Sequence, residues 1–417
     1  LGLITYCPFS LHSQDTSYAR KTIKQLCSKQ YYGRGYYRNG AKKASIFIAK
    51  EMKKTGLKTL PNRDNCFQKF NFTVNKIQNI QLSVNGLKLI PGRDYIVDAG
   101  AIGATESLNT TYIITEKTIR DSSWIYQIPK TENNNKTPTI IVIDTLNFAT
   151  EIKHKSLLQY INKYFRVVVF TRKLTWTVST HAVYWRKIEI LRSSIKEIPN
   201  PFKIKFHLKS KFTDQQQQNV IAYVKGTHSP DSFIFITAHY DHLGMMGPKA
   251  MFPGANDNAC GVAMMLDLAR YCSKNPQKYS IAFIAFAGEE AGLIGSHFYT
   301  QNPIVQLNNI RFLMNLDLVG TGENGGTVVN ASIFKKEFSL LDSINRKNEL
   351  LPKLIRRGKA ANSDHYFFTE AGVPSFFLYL AGPRPSYHDV DDVPQTLTLA
   401  GYNGTFQLIT RFFAAFQ

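Results

Sequence analysis

Four short stretches of this chain are apolar without polar alternation, and each ends at or near side chains able to bind a metal. Residues 233–238 read Phe-Ile-Phe-Ile-Thr-Ala and run into His239-Tyr240-Asp241-His242. Residues 281–287 run into Gly288-Glu289-Glu290, and residues 312–316 into Asp317. The fourth stretch, residues 375–380, precedes a Gly/Pro loop that carries Tyr387-His388-Asp389 and then Asp391-Asp392. Strands with no polar face must be covered on both faces, as in a parallel or mixed sheet sandwiched by helices. The pattern therefore predicts an α/β fold: a mixed central β-sheet flanked by helices. In such sheets ligands gather beyond the carboxyl ends of the strands, which is where these His and acidic residues fall.

His239 and Asp241 are two residues apart on extended chain and so face the same way. Asp241 is placed to accept the far ring N–H of His239, which would fix the tautomer and strengthen the imidazole as a ligand. A polar strand exit is the plainer alternative. Asp257 lies in the loop Pro253-Gly254-Ala255-Asn256-Asp257-Asn258, just before Val262, Met265, Leu266 and Ala269 at helical spacing. There it can cap the helix, or its two oxygens can span two cations about 3.5–4 Å apart; the two roles are compatible. Glu289 and Glu290 are adjacent acids at a strand end. Unpaired, one would have its pKa raised by the other, and a metal relieves that repulsion, leaving one acid as ligand and the other as a free base. Acids favouring the start of a following helix are the alternative. Taken together, His239, Asp257, Glu290, Asp317 and His388 supply one His, one carboxylate and a shared carboxylate for each of two Zn²⁺ ions.

From about Asn219 onward the chain resembles the M28 family of zinc peptidases. The resemblance rests on His239-x-Asp241, Gly254-Ala-Asn-Asp257-Asn, Glu289-Glu290-x-Gly-Leu-x-Gly-Ser296, Asn315-x-Asp317-x-x-Gly320, Ser363-Asp364-His365 and a late His388, in the family's order. It implies that His239 and Asp317 hold one zinc, Glu290 and His388 the other, and that Asp257 bridges them. It further implies Glu289 as general base, Asp241 as the partner behind a ligand, and Tyr387 as a hydroxyl that helps the tetrahedral intermediate. Asp364 matches a family position without an assigned role. Cys260 stands where the family would have a small Ser, and is read as a small core residue instead of a ligand. There is no HExxH helix, which excludes the common single-zinc protease arrangement.

The 417 residues, 43% of them hydrophobic, suffice for two domains. The formal net charge of +21 is spread along the chain and comes with no DNA- or RNA-binding motif, so it points to solubility or to anionic substrates and surfaces. No run approaches the roughly 18 apolar residues of a membrane span. Residues 1–14 are apolar and precede Asp15-Thr16-Ser17, like the end of a secretory signal, so an exported (periplasmic or extracellular) protein is expected. A Cys27–Cys66 bridge would be compatible with export.

Residues 15–62 read as helices, Tyr18 to Cys27 and Ala41 to Lys54, with Gly56 as a stop, and resemble the helical opening of the peptidase domain, Gly33-Arg34-Gly35 included. Residues 66–205 read as an inserted smaller β-rich domain similar in position to a protease-associated domain, with a hairpin at Asn85-Gly86, strands at 139–144 and 165–170, and a helix after Lys153. The runs at 133–136 and 215–218 read as surface loops. Residues 206–417 form the catalytic domain, entered through a strand at 219–225. The resemblance implies a dizinc exopeptidase acting on peptides, foremost an aminopeptidase. A carboxypeptidase or dipeptidase, a glutaminyl cyclase-like relative, and a non-catalytic binding module are the alternatives. Oligomeric state is not encoded in any pattern recognised in the chain.

Overall fold

The computed structural model describes residues 16–61, 63–108, 111–114, 123–128, 140–144, 155–183, 187–383 and 386–416. The apolar segment 1–14 and the run 133–136 lie outside them. Helical spacing of apolar residues sets the first two elements. α1 (Thr16–Leu26) buries Ala19, Ile23 and Leu26, and α2 (Gly40–Lys54) buries Ala41, Ala44, Ile48 and Met52. Both faces enter one core that also holds the middle of the central sheet.

The chain then forms β1 (Phe67–Val84), which turns through Asn85 and Gly86, both at positive φ, into β2 (Leu87–Leu89), as the Asn-Gly signal predicts. β3 (Tyr95–Val97), β4 (Ala104–Leu108), β5 (Thr111–Ile114), β6 (Ile140–Asp144), α3 (Lys155–Tyr164), β7 (Arg166–Thr171) and β8 (Lys187–Leu191) follow. β3, β8, β7, β6 and β5 form a separate five-stranded sheet in that order, parallel except for the β3–β8 pair. This second sheet therefore carries a parallel β6–α3–β7 unit and has cores of its own.

β9 (Ile204–Val224) returns alongside β1, paired from Phe67↔Val220 to Val84↔Ile204. The run Gln215–Gln218, expected as a surface loop, lies inside this ladder, and Gln217 and Gln218 are buried. Ladder pairing satisfies the backbone while side-chain amides find partners such as Ser45 Oγ, 2.8 Å from Gln218 Nε2, so a polar run is accommodated in a strand.

The remaining elements are β10 (Ser229–His239), β11 (Gly244–Met246), β12 (Ala250–Phe252), α4 (Cys260–Lys274), β13 (Tyr279–Phe286), α5 (Ile294–Gln301), β14 (Ile310–Leu316), β15 (Gly326–Val329), α6 (Lys335–Asn348), β16 (Leu354–Arg356), α7 (His365–Glu370), β17 (Ser375–Leu380) and α8 (Tyr402–Ala415). The central sheet has the order β16-β15-β17-β14-β10-β13-β9-β1-β2, with β4 also on β9. Its middle four strands, β17, β14, β10 and β13, are mutually parallel. They contain the four apolar runs of the sequence, and those runs are buried almost throughout. Because they are parallel, their carboxyl ends lie at one edge of the sheet, and every candidate ligand is brought to that edge or to loops beside it. Cys27 and Cys66 are free thiols. None of the described helices is long and apolar enough to cross a membrane.

Candidate metal centre

His239 ends β10, and its Nδ1 lies 3.2 Å from the backbone carbonyl of Asp241. A carbonyl only accepts, so Nδ1 carries the proton and the lone pair sits on Nε2. That Nε2 is 3.2 Å from Asp257 Oδ1 and 3.3 Å from Asp317 Oδ1. His388 repeats the arrangement: Nδ1 donates to the carbonyl of Trp176 at 2.9 Å, and Nε2 lies 3.1 Å from both Asp257 Oδ2 and Glu290 Oε2. All five residues predicted as ligands thus meet in one cluster, with Asp257 facing both histidines.

Lone pairs and carboxylate oxygens at such distances repel unless a proton or a cation lies between them. His239 Nε2 and Asp317 Oδ1 are buried without a hydrogen-bond partner. Burial would lower the His239 pKa, but Asp317, Glu289 and Asp257 outweigh it and hold it well above the usual range. His388 is likewise pushed up to about 11, Glu290 and Asp257 overcoming burial. Two imidazoles facing shared carboxylates at these distances make a donor set suited to zinc.

The acids divide accordingly. Against the effect of burial, His239 and His388 hold Asp257 well below its usual value, and His388 and His242 bring Glu290 to about 2. Burial, helped by Glu290, Asp317 and Asp364, raises Glu289 well above the carboxylate range despite His239. A divalent cation nearby would draw it back toward the ionised form.

The surroundings fix which oxygens remain available. Thr237 Oγ1 donates to Asn315 Oδ1 at 2.7 Å, Asn315 Nδ2 to Ser363 Oγ at 2.8 Å, and Ser363 Oγ to Asp317 Oδ2 at 2.8 Å. This relay occupies one oxygen of Asp317 and leaves Oδ1 toward the cluster. Asp392, buried, accepts from the backbone N–H groups of Asn256 at 2.8 Å and Asp257 at 3.0 Å. It ties the Asp257 loop, which contains a cis Asp257–Asn258 peptide, to the His388 loop. Cys260 Sγ lies 3.0 Å from the Asn256 carbonyl and accepts the Val319 N–H at 3.2 Å, a buried structural thiol, as expected of a small core residue.

Arg34, fully buried, reaches the same loops from the N-terminal helices. Its guanidinium donates to the carbonyls of Tyr240 at 2.8 Å, Pro253 at 2.6 Å, Gly254 at 2.6 Å, and Leu26 and Asp257 at 3.3 Å. Gly33 and Gly35 permit the approach: a Cβ on Gly33 would stand 2.3 Å from the Phe252 carbonyl, and one on Gly35 2.5 Å from Gly244 Cα.

Two expectations need adjustment. The Asp241 carboxylate is 3.9 Å from His239 Nδ1, too far for a hydrogen bond, and the residue's own carbonyl takes that proton instead. The carboxylate accepts from Tyr36 OH and from the Glu289 N–H, both at 3.2 Å, so it holds the Glu289 backbone. His242, quoted in the sequence without a role, is the second. Its Nδ1 is 2.6 Å from Glu290 Oε1, its Nε2 is buried without a partner, and it sits within ligand range of Asp257 and Glu290. It thereby competes with His388 for the second half of the centre. His388 is the better placed: its Nε2 faces two carboxylates while its Nδ1 is held by a carbonyl, whereas His242 spends Nδ1 on orienting Glu290. Tyr387 stacks on the His388 ring at 4.0 Å and is 43% exposed, facing the open side. Asp364 is buried with neither oxygen hydrogen-bonded. Tyr36 and Trp176 escaped the sequence reading because they come from distant segments, while Arg34 stood in the quoted Gly33-Arg34-Gly35 without a role. Ser363 and Asp392 stand inside motifs already quoted and could have been found there.

Residues 219–413 match the profile of Peptidase family M28. Aminopeptidase YwaD of Bacillus subtilis is 32% identical over 191 residues, 43% of this chain and 40% of that protein. A probable zinc metalloprotease of Pyricularia oryzae is 40% identical over 111 residues, 26% of this chain and 22% of the relative. The matches thus span well under half the length of these curated relatives. Among solved structures, a zinc aminopeptidase of Bacillus subtilis superposes with a TM-score of 0.71 over 95% of this chain and 93% of the other, at 22% identity. A peptidase M28 precursor from Shewanella amazonensis gives 0.68 over 95% and 96%, at 16% identity. At such identities the likeness is one of fold, and it extends over the second sheet as well as the first.

Proposed function

Residues 219–413 match Peptidase family M28, and from that premise we propose that the chain is a two-zinc aminopeptidase. The observation that carries the two-ion reading is the posture of Asp257, whose Oδ1 faces His239 Nε2 at 3.2 Å and whose Oδ2 faces His388 Nε2 at 3.1 Å. His239 and Asp317 would hold one ion, Glu290 and His388 the other, and Asp257 both. Zinc bound there would supply a Lewis-acidic charge that polarises the scissile carbonyl and makes a water nucleophile available near neutral pH.

The chain's own groups do the rest. Glu289, with its backbone held by Asp241, takes the proton of the attacking water and returns it to the leaving amine, a role typically worth roughly 10²- to 10⁴-fold in rate. Tyr387, stacked on His388 at the open side, donates its hydroxyl to the oxygen on which charge develops. The name of the Bacillus subtilis relative supports the aminopeptidase form of the reading.

The test pairs metal content with turnover on residue-coupled chromogenic amides and on peptides with blocked amino termini. Hydrolysis that needs a free α-amine and disappears on chelation is expected. Glu289→Gln should keep both ions and lose at least about 100-fold in kcat. Asp257→Asn should lose metal as well. Undiminished hydrolysis after complete metal removal would reject the zinc enzyme, and cleavage of blocked peptides would reject the aminopeptidase.

A further inference from the structure

The loop that carries His388 is held from two sides, and one of them is the second sheet. Trp176 lies beyond β7, more than two hundred residues from His388 in sequence. Its backbone N–H donates to the His388 carbonyl at 2.9 Å, and its own carbonyl accepts the His388 Nδ1 proton at 2.9 Å. The reciprocal pair fixes both the main chain and the ring of a candidate ligand. Trp176 is itself anchored: its Nε1 donates to the Val97 carbonyl at 3.0 Å, and its ring stacks on Phe252 at 4.8 Å. Val390 packs on the core of the second sheet, and Lys173 Nζ lies 3.8 Å from Asp389. His388 adopts φ +56°, a conformation a non-glycine residue keeps only when its surroundings impose it. His239 has no such tie: its Nδ1 is satisfied by Asp241 of its own loop.

We propose that Trp176 is a positioning residue for the His388 half of the metal centre, so that the second sheet completes one of the two cation sites. The inference rests on the two-ion reading above. Rings held by a backbone carbonyl present a fixed lone pair to a cation, and loss of such a partner weakens metal binding by about 10- to 100-fold. The Trp176 side chain acts indirectly: Val97 and Phe252 hold the ring, and the ring holds the carbonyl. Removing it should therefore loosen one ion and spare the other.

The experiment is a Zn²⁺ titration of the metal-free protein against a competing chromophoric chelator. Wild type, Trp176→Ala, Trp176→Phe and His388→Ala are compared, the last to mark which constant belongs to the His388 half. Wild type is expected to bind two equivalents. Trp176→Ala should raise the dissociation constant of the His388 half about 10- to 100-fold and leave the other within about 3-fold. Trp176→Phe keeps a ring on Phe252 and loses only the Nε1 donor, so a selective change of roughly 2- to 10-fold is expected. Should Trp176→Ala fail to fold, the Trp176→Phe result decides. Unchanged constants, or both constants shifted by the same factor, would overturn the assignment while leaving the two-ion centre standing. A wild-type protein that binds a single equivalent would overturn the two-ion reading, and the role of Trp176 with it.

Discussion

At the scale of single residues, the site is governed by where each polar atom finds a partner. Asp317 has one oxygen taken by Ser363 and one turned to the cluster, and that division depends on a hydroxyl whose own acceptor role is filled by Asn315. Ser363→Ala should therefore let Asp317 reorient and weaken zinc retention about 10-fold, measured by chelator competition, with the fold intact. His365 makes a separate point. It is fully buried beside Phe377 with neither ring nitrogen bonded, and burial lowers its pKa to about 4. Above pH 6.5 it is neutral folded or unfolded. Between pH 6.5 and 4 the unfolded chain binds a proton that the folded one refuses, so stability falls as pH falls through that window and levels off below it. The loss amounts to at most roughly 3 kcal/mol. In His365→Phe the drop in urea midpoint from pH 7 to pH 4.5 should be smaller than in wild type.

At the scale of elements, four parallel strands deliver residues to one sheet edge, and the N-terminal helices lock the loops that follow. The lock is Arg34, whose five carbonyl contacts span Leu26, Tyr240, Pro253, Gly254 and Asp257. Arg34→Met would leave several buried carbonyls without donors, at a cost of roughly 3–5 kcal/mol. A lower urea midpoint together with reduced metal content is the expected result; a stable variant with full metal content would show the lock to be dispensable. The strands themselves were legible in the sequence because an apolar run with no polar face has few other uses. The Gln215–Gln218 ladder was not, since polarity alone does not reveal that β1 lies alongside. The helix α3 after Lys153 was legible as an element, yet not the parallel sheet it serves, because strand direction depends on connections across the fold.

At the scale of the whole molecule, Asp241, Glu289, Asp364 and Asp392 are buried around the five candidate ligands in a chain of net charge +21. Without cations, carboxylates placed this close would repel one another. Zinc should thus act as a stabiliser of the fold: at a hundredfold excess over its dissociation constant it adds about 2.7 kcal/mol per site. Stripping with chelator should lower the melting temperature, and zinc should restore it. An unchanged melting temperature after verified metal loss would contradict a centre built into the core.

The sequence by itself determined the mixed α/β sheet and the five residues that meet beyond its strands, because apolar runs and the side chains that end them are local properties. It also carried the family motifs that name the same five. What only the tertiary structure decided is who supports them: Asp241 turning its carboxylate to Tyr36 and its carbonyl to His239, Arg34 gripping the ligand loops, and Trp176 holding His388. Those partnerships join segments separated by up to 223 residues, and hydrogen bonds between distant segments leave no periodic trace in the chain that makes them.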